Sequence, residues 1–164
     1  MTIIDKERRF MKLKLVIIIC LFFSIYSNAA ELKGKVIHIS DGDTIHLLTT
    51  NKVKYKIRLD EIDAPESSQA FGNKSKENLK KYIYNKDVVV NYSSRDQYDR
   101  VLGTIYLNKQ DINLQQIKDG YAWVYKKYSN NSTYYKAEKE AKNSKKGLWA
   151  DKYPIEPWIF RKNK

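Results

Sequence analysis

Apolar and polar residues alternate along much of the chain after residue 30, and the period of the alternation changes with position. In 32–39 the apolar part comes from Val36, Ile37 and Ile39, and Thr44 to Thr49 is rich in β-forming residues. Over 52–62, Val53, Tyr55, Ile57 and Leu59 fall on one face, and Lys54, Lys56, Arg58 and Asp60 on the other, which is the period-two pattern of a half-buried strand. Asp41-Gly42-Asp43 separates the first two stretches as a turn, so three strands joined by short turns are expected. Ala64-Pro65 breaks the pattern and a loop follows to about Asn73.

From 74 to 84 the spacing becomes helical, with Leu79, Tyr82 and Ile83 on one side. Val88-Val89-Val90 opens a fourth strand and 101–107 forms a fifth, with Gly103 as a candidate bulge. A short helix over 113–118 should close at Gly120, followed by an extended piece at 122–125. A last helix is expected to start at Ser132 as its N-cap, carry Tyr134, Ala137 and Ala141 inward, and stop at Gly147. These elements predict an α+β fold: a five-stranded OB-type β-barrel with about three packed helices.

The first 29 residues have a different character. Lys6, Arg8, Arg9, Lys12 and Lys14 precede an apolar run over 15–25, and Ser27 and Ala29 are small. That is the layout of a secretory signal peptide, and the run is shorter than the ~20 residues of a membrane span. The sequence is therefore divided into a signal peptide over 1–29 and one domain over 30–164. Met11 is a candidate start beside Met1, because the signal is complete from Met11 onward. The expected product is exported, to the periplasm or the medium, with no stable membrane association after processing, and is monomeric.

Composition adds a partner class. The chain carries 31 Lys and Arg against 19 Asp and Glu, a net +12. Five of the basic and two of the acidic residues lie in the leader, which leaves +9 on the remainder. Nucleic acid and anionic surfaces are the partners such a balance suits. Cys20, the only cysteine, lies in the leader, so no disulfide supports the domain. His38 and His46 fall on predicted strands and are read as surface residues. Trp123, Trp149 and Trp158 are assigned to packing, and the basic tail at 161–164 to solvent.

Four short segments carry candidate chemistry: Asp41-Gly42-Asp43-Thr44, then Arg58, then Asp63-Ala64-Pro65-Glu66, then Asp96-Gln97-Tyr98-Asp99-Arg100. The first is no EF-hand, because its glycine falls at the second loop position and Lys52 stands at the twelfth. Together the four supply what phosphodiester hydrolysis requires. Carboxylates are hard ligands for calcium, a glutamate serves as base, and two arginines offer planar forks matched to phosphate oxygens.

The order DGDT, R-x-x-x-x-D-x-P-E and D-x-Y-x-R, with GYAWVYKKY and AEKEAKNSKKGLW toward the end, resembles the staphylococcal nuclease family from about Gly34 to Trp149. The resemblance implies a calcium-dependent endonuclease acting on DNA and RNA at the 5′ P–O bond and leaving 3′-phosphate ends. It implies Asp43, Asp63 and the carbonyl of Ala64 as Ca2+ ligands and Glu66 as the group that activates water. Arg58 and Arg100 would grip the phosphate, with Tyr98 and Tyr128 at the nucleotide pocket. Asp41 is read as a turn or outer group. This sequence departs from the best-known member at Ala64, which replaces a threonine, at Gln97 and Lys126, which replace a lysine and a tyrosine, and in a short loop after Glu66. The competing reading is a non-catalytic nucleic-acid-binding OB-type module, whose expected mark is loss of the acidic and arginine set. A basic surface adhesin gives no reason for that set.

Overall fold

The computed structural model describes residues 30–163; the signal-peptide reading of 1–29 lies outside them. Strands β1 (Ala30–Asp41), β2 (Thr44–Thr49), β3 (Lys54–Leu59), β5 (Asp87–Arg95) and β6 (Val101–Leu107) form one sheet in the order β3-β2-β1-β5-β6. Parallel pairing of β3 with β6, Ile57 opposite Val101 and Leu59 opposite Gly103, closes it into a five-stranded barrel, as the alternation predicts. Closure removes the exposed edges that an open sheet would present. Two-residue strands β4 (Ile62–Asp63) and β8 (Trp123–Val124) pair with each other, and β7 (Gln110–Asp111) extends β6.

Alternate residues of each strand fill the barrel: Val36, Ile45, Leu47, Ile57, Leu59, Val90, Val101 and Ile105 are fully buried. The expected face of β3 holds for Tyr55, Ile57 and Leu59, but Val53 lies before the strand and is exposed. Gly103 has no room for a side chain, since a Cβ there would meet Val90 and the Asn91 carbonyl. The register shift lies opposite it in β5, between Tyr92 and Ser94.

Helix α1 (Gly72–Ile83) caps one end of the barrel through Leu79 and Ile83, and α2 (Ile112–Lys118) packs beside it through Ile112 and Ile117. Gly120, at φ 74°, ends α2 as expected, with its N–H and that of Tyr121 turned back to Ile117 O and Gln116 O. Helix α3 (Ser132–Asn143) departs from the sequence reading at both ends. Its N-cap is Asn131, whose Oδ1 accepts from the N–H groups of Thr133 and Tyr134. The residue in the left-handed conformation after its last turn is Lys145, at φ 50°, two positions before Gly147. Gly147 instead opens a 3-10 turn, Gly147–Ala150. A short fourth helix, α4 (Pro157–Lys162), was not anticipated. Among the described residues no helix is long and apolar enough to cross a membrane.

Candidate active site

The Asp41–Asp43 turn is fastened from two directions. Gln116 Nε2 on α2 donates to Gly42 O at 2.8 Å, and Ser75 on α1 fills the space a Gly42 side chain would need. Asp41 Oδ1 accepts the Asp43 N–H at 3.0 Å, which is the turn role expected of it. Asp43 is thereby turned inward, 5% exposed, with Oδ1 accepting from Thr44 Oγ1 and Oδ2 from the Ala64 N–H at 2.6 Å. Asp63 reaches the same place from β4, which is held by β8 and through it by Glu138, whose Oε1 accepts the Val124 N–H. It is 1% exposed.

Arg58, at the end of β3, joins the two carboxylates. Its Nη2 lies 3.1 Å from Asp43 Oδ2 and 2.8 Å from Asp63 Oδ1, while Nη1 donates to the carbonyls of Leu59 and Ile62. Both terminal nitrogens of the guanidinium are thus engaged, in a nearly buried position. Burial pushes the Asp43 carboxyl from 3.8 up to about 8; Asp41 and Asp63 push the same way, and Arg58 opposes them.

Glu66 sits on the turn after Pro65, half-buried, its backbone paired with Gln69. Arg100 stands at the start of β6, where its Nε donates to Asp96 Oδ2 at 2.7 Å. Burial raises the Asp96 carboxyl, but hydrogen bonds from Arg100 and from the Tyr98 N–H outweigh it and hold it below its usual range. Tyr98 and Tyr128 are 70% and 58% exposed, and the Arg100 guanidinium lies over the Tyr98 ring, 5.5 Å from its centre.

All eight sequence-derived positions, Asp43, Arg58, Asp63, Ala64, Glu66, Tyr98, Arg100 and Tyr128, line one cavity of about 800 Å³. His38 and His46 lie off the cavity as a T-shaped pair 5.3 Å apart, and partial burial lowers the His46 pKa, with His38, Lys56 and Lys54 pushing the same way. Trp123, Trp149 and Trp158 pack against one another as expected.

Sequence reasoning missed Arg161, which also lines the cavity. Arg161 was assigned to a solvated tail, yet it donates from Nη2 to Asp63 Oδ2 at 2.8 Å, from Nη1 to Asp63 Oδ1 at 3.1 Å, and to Glu66 Oε1 at 2.7 Å. Those bonds, with the two neighbouring carboxylates, hold its pKa above the ordinary value against the effect of burial. The available signal was local: Pro157 followed by Trp158 places a helix start and a large apolar anchor inside a basic tail.

The donor set suits a hard cation. Among the described residues no three His, Cys, Asp or Glu side chains cluster as a cage. Yet one guanidinium nitrogen touches both Asp43 and Asp63, and the Ala64 backbone lies against Asp43. Two carboxylates so close to one positive group are all-oxygen donors of the kind calcium takes.

Acidic side chains and guanidinium forks gathered in one cavity of an OB-type barrel are the groups that a phosphodiester-hydrolysing nuclease requires. The family described as staphylococcal nuclease homologue matches residues 56–151. A Haemophilus influenzae protein named as an uncharacterized endonuclease is 45% identical over 144 residues, covering 87% of this chain and 81% of the relative. An Escherichia coli protein of the same description is 36% identical over 92% of this chain and 99% of its own length. A Shigella flexneri protein named micrococcal nuclease is 37% identical over 81% of this chain and 82% of its own. The chain belongs to the staphylococcal nuclease family.

Proposed function

We propose that the protein is a calcium-dependent endonuclease that cleaves DNA and RNA at the P–O5′ bond and leaves 3′-phosphate ends. The observation that supports this most strongly is the bridge made by Arg58 between Asp43 and Asp63, in a cavity that also holds Glu66 and Arg100. A non-catalytic binding module has no need of two buried carboxylates, whose desolvation is costly unless the charges are used.

Asp43, Asp63 and the Ala64 carbonyl would hold the cation. Bound calcium supplies charge neutralisation on the phosphate and so lowers the barrier to attack. Glu66 takes the proton from a water whose oxygen attacks phosphorus; the P–O5′ bond breaks and the departing O5′ takes up a proton from solvent, to which Glu66 later releases its own. Arg100 donates to the phosphate oxygens, and Arg58 does so through Nη2 when Asp43 and Asp63 turn to the cation instead; these bonds strengthen as negative charge builds on the pentacoordinate phosphorus. Tyr98 and Tyr128, exposed at the rim, offer faces on which bases stack without regard to sequence. The basic surface attracts the polyanion, so binding should weaken as salt rises.

The test is digestion of plasmid DNA and of RNA by the protein without its leader, in calcium, in magnesium and in excess chelator, with the new ends identified. Cleavage in calcium giving 3′-phosphate ends is expected. Magnesium should support little, because it demands a tighter octahedral shell and keeps its water. Full activity in chelator contradicts the metal assignment, and no cleavage under any condition contradicts the nuclease.

A further inference from the structure

Glu66 sits on a turn, and its side chain is 35% exposed. A glutamate in that setting samples many rotamers, whereas a base must be held within reach of one water. The side chain that holds it is Arg161, through Nη1 to Oε1 at 2.7 Å. One carboxylate oxygen is thereby fixed. The same guanidinium meets both oxygens of Asp63, so its fork spans the two acidic residues and fixes their relative orientation.

Arg161 is seated with care for a residue so near the end of the chain. Pro157 opens α4. Trp158 stacks on Tyr125, with ring centres 5.4 Å apart and planes 6° from parallel, and meets the edge of Trp123 at 5.9 Å. Gln69, whose side chain also accepts the Glu66 N–H, donates to Ile155 O at 2.6 Å. The Glu66 turn and the C-terminal segment are therefore tied together at two points, Gln69 to Ile155 and Glu66 to Arg161. An incidental surface ion pair would be worth little, but here one partner is a buried carboxylate and the fork is bidentate.

We propose that Arg161 is a positioning residue of the active site, which orients Glu66 and Asp63 for hydrolysis. The proposal rests on the nuclease reading above and extends its machinery to the C-terminal helix. Arg161 acts through Glu66 and Asp63, so its loss should appear in turnover more than in substrate binding.

The experiment compares the parent with Arg161→Ala and Arg161→Lys, and with Lys162→Ala as an exposed neighbour on the same helix. Circular dichroism melts establish that each is folded at the assay temperature, and calorimetry gives the calcium affinity of each, so that rates are read at saturating calcium. Losing an outer partner of this kind typically costs ~10–100-fold. The expected result is a kcat for Arg161→Ala lower by about that factor, with KM nearly unchanged. Arg161→Lys should recover part of the rate, because it keeps the charge and loses the fork. Added guanidinium ion should raise the rate of Arg161→Ala and leave the parent's unchanged, a rescue that a purely structural role would not give. Parental kcat in both folded Arg161 variants overturns the proposal while an active parent leaves the nuclease standing. Tighter calcium binding with undiminished kcat also overturns it, and makes Arg161 a competitor of the cation. An inactive parent sinks the nuclease reading and this role with it.

Discussion

Asp43 is a buried carboxyl whose protonation is coupled to folding. Its pKa is pushed from 3.8 to about 8, chiefly by burial, so between those values the folded chain binds more protons than the unfolded one. Without bound cation, stability should therefore fall as pH rises through that window. Asp43→Asn removes the cost, and Arg58 keeps Asp63 as its partner. In chelator at pH 9 the variant should melt higher than the parent by about 5 °C or more, since ~1 kcal/mol is worth several degrees in a domain of this size. It should also lose calcium-dependent cleavage. A melting point below the parent's would show that Asp43 stabilises the fold as a charge. The two arginines separate charge from geometry. Arg58→Lys and Arg100→Lys should each lower kcat by ~10²–10³-fold, because lysine keeps the charge but not the fork. Lys81→Arg on α1, exposed, is the control. Near-parental turnover in both folded lysine variants would make the arginines a binding surface only.

The barrel strands were legible from alternation because each buries one face, as Ile57 and Leu59 do against Arg58 and Lys56. The helix ends were less so. Ser132 and Asn131 are both good caps, and only the fold decides that Asn131 Oδ1 takes the two free N–H groups. Asn131→Ala should therefore cost ~1 kcal/mol in chemical denaturation, and Ser132→Ala much less; the reverse order would restore the sequence reading. Gly147 looked like a helix stop, but Lys145 takes the left-handed position and Gly147 is needed where its backbone meets that of Gly120. Helix α4 was illegible for a different reason. A six-residue helix has little intrinsic stability, and what holds it is Trp158 against Tyr125 and Arg161 against Asp63. The Arg161–Asp63 pair spans 98 positions of sequence, beyond the reach of any local pattern. The eight sequence-derived site positions, by contrast, sit in short segments whose residue types and order along the chain are visible in the sequence, and it is the segments taken together that point to the chemistry.

At the scale of the molecule, the fold brings four separate chain segments to one cavity: the β1–β2 turn, the β3–β4 stretch with the turn after it, the β5–β6 turn, and the stretch after β8 that carries Tyr125 and Tyr128. The C-terminal helix adds a fifth through Arg161. The export reading belongs to the whole chain as well. We propose cleavage between Ala29 and Ala30, and mass spectrometry of the exported protein should find a mature N-terminus at Ala30 or Glu31; an intact leader on active protein would contradict it. The central claim is that this cavity performs hydrolysis with Glu66 as its base. The most direct measurement is the single-turnover cleavage rate of DNA by Glu66→Gln and by the parent, both folded and at saturating calcium. Glutamine keeps the size and removes the charge, so cation and substrate should still bind. General-base catalysis is worth ~10²–10⁴-fold, and the account predicts a loss in that range. A rate within about threefold of the parent, far below that range, would take Glu66 out of the mechanism.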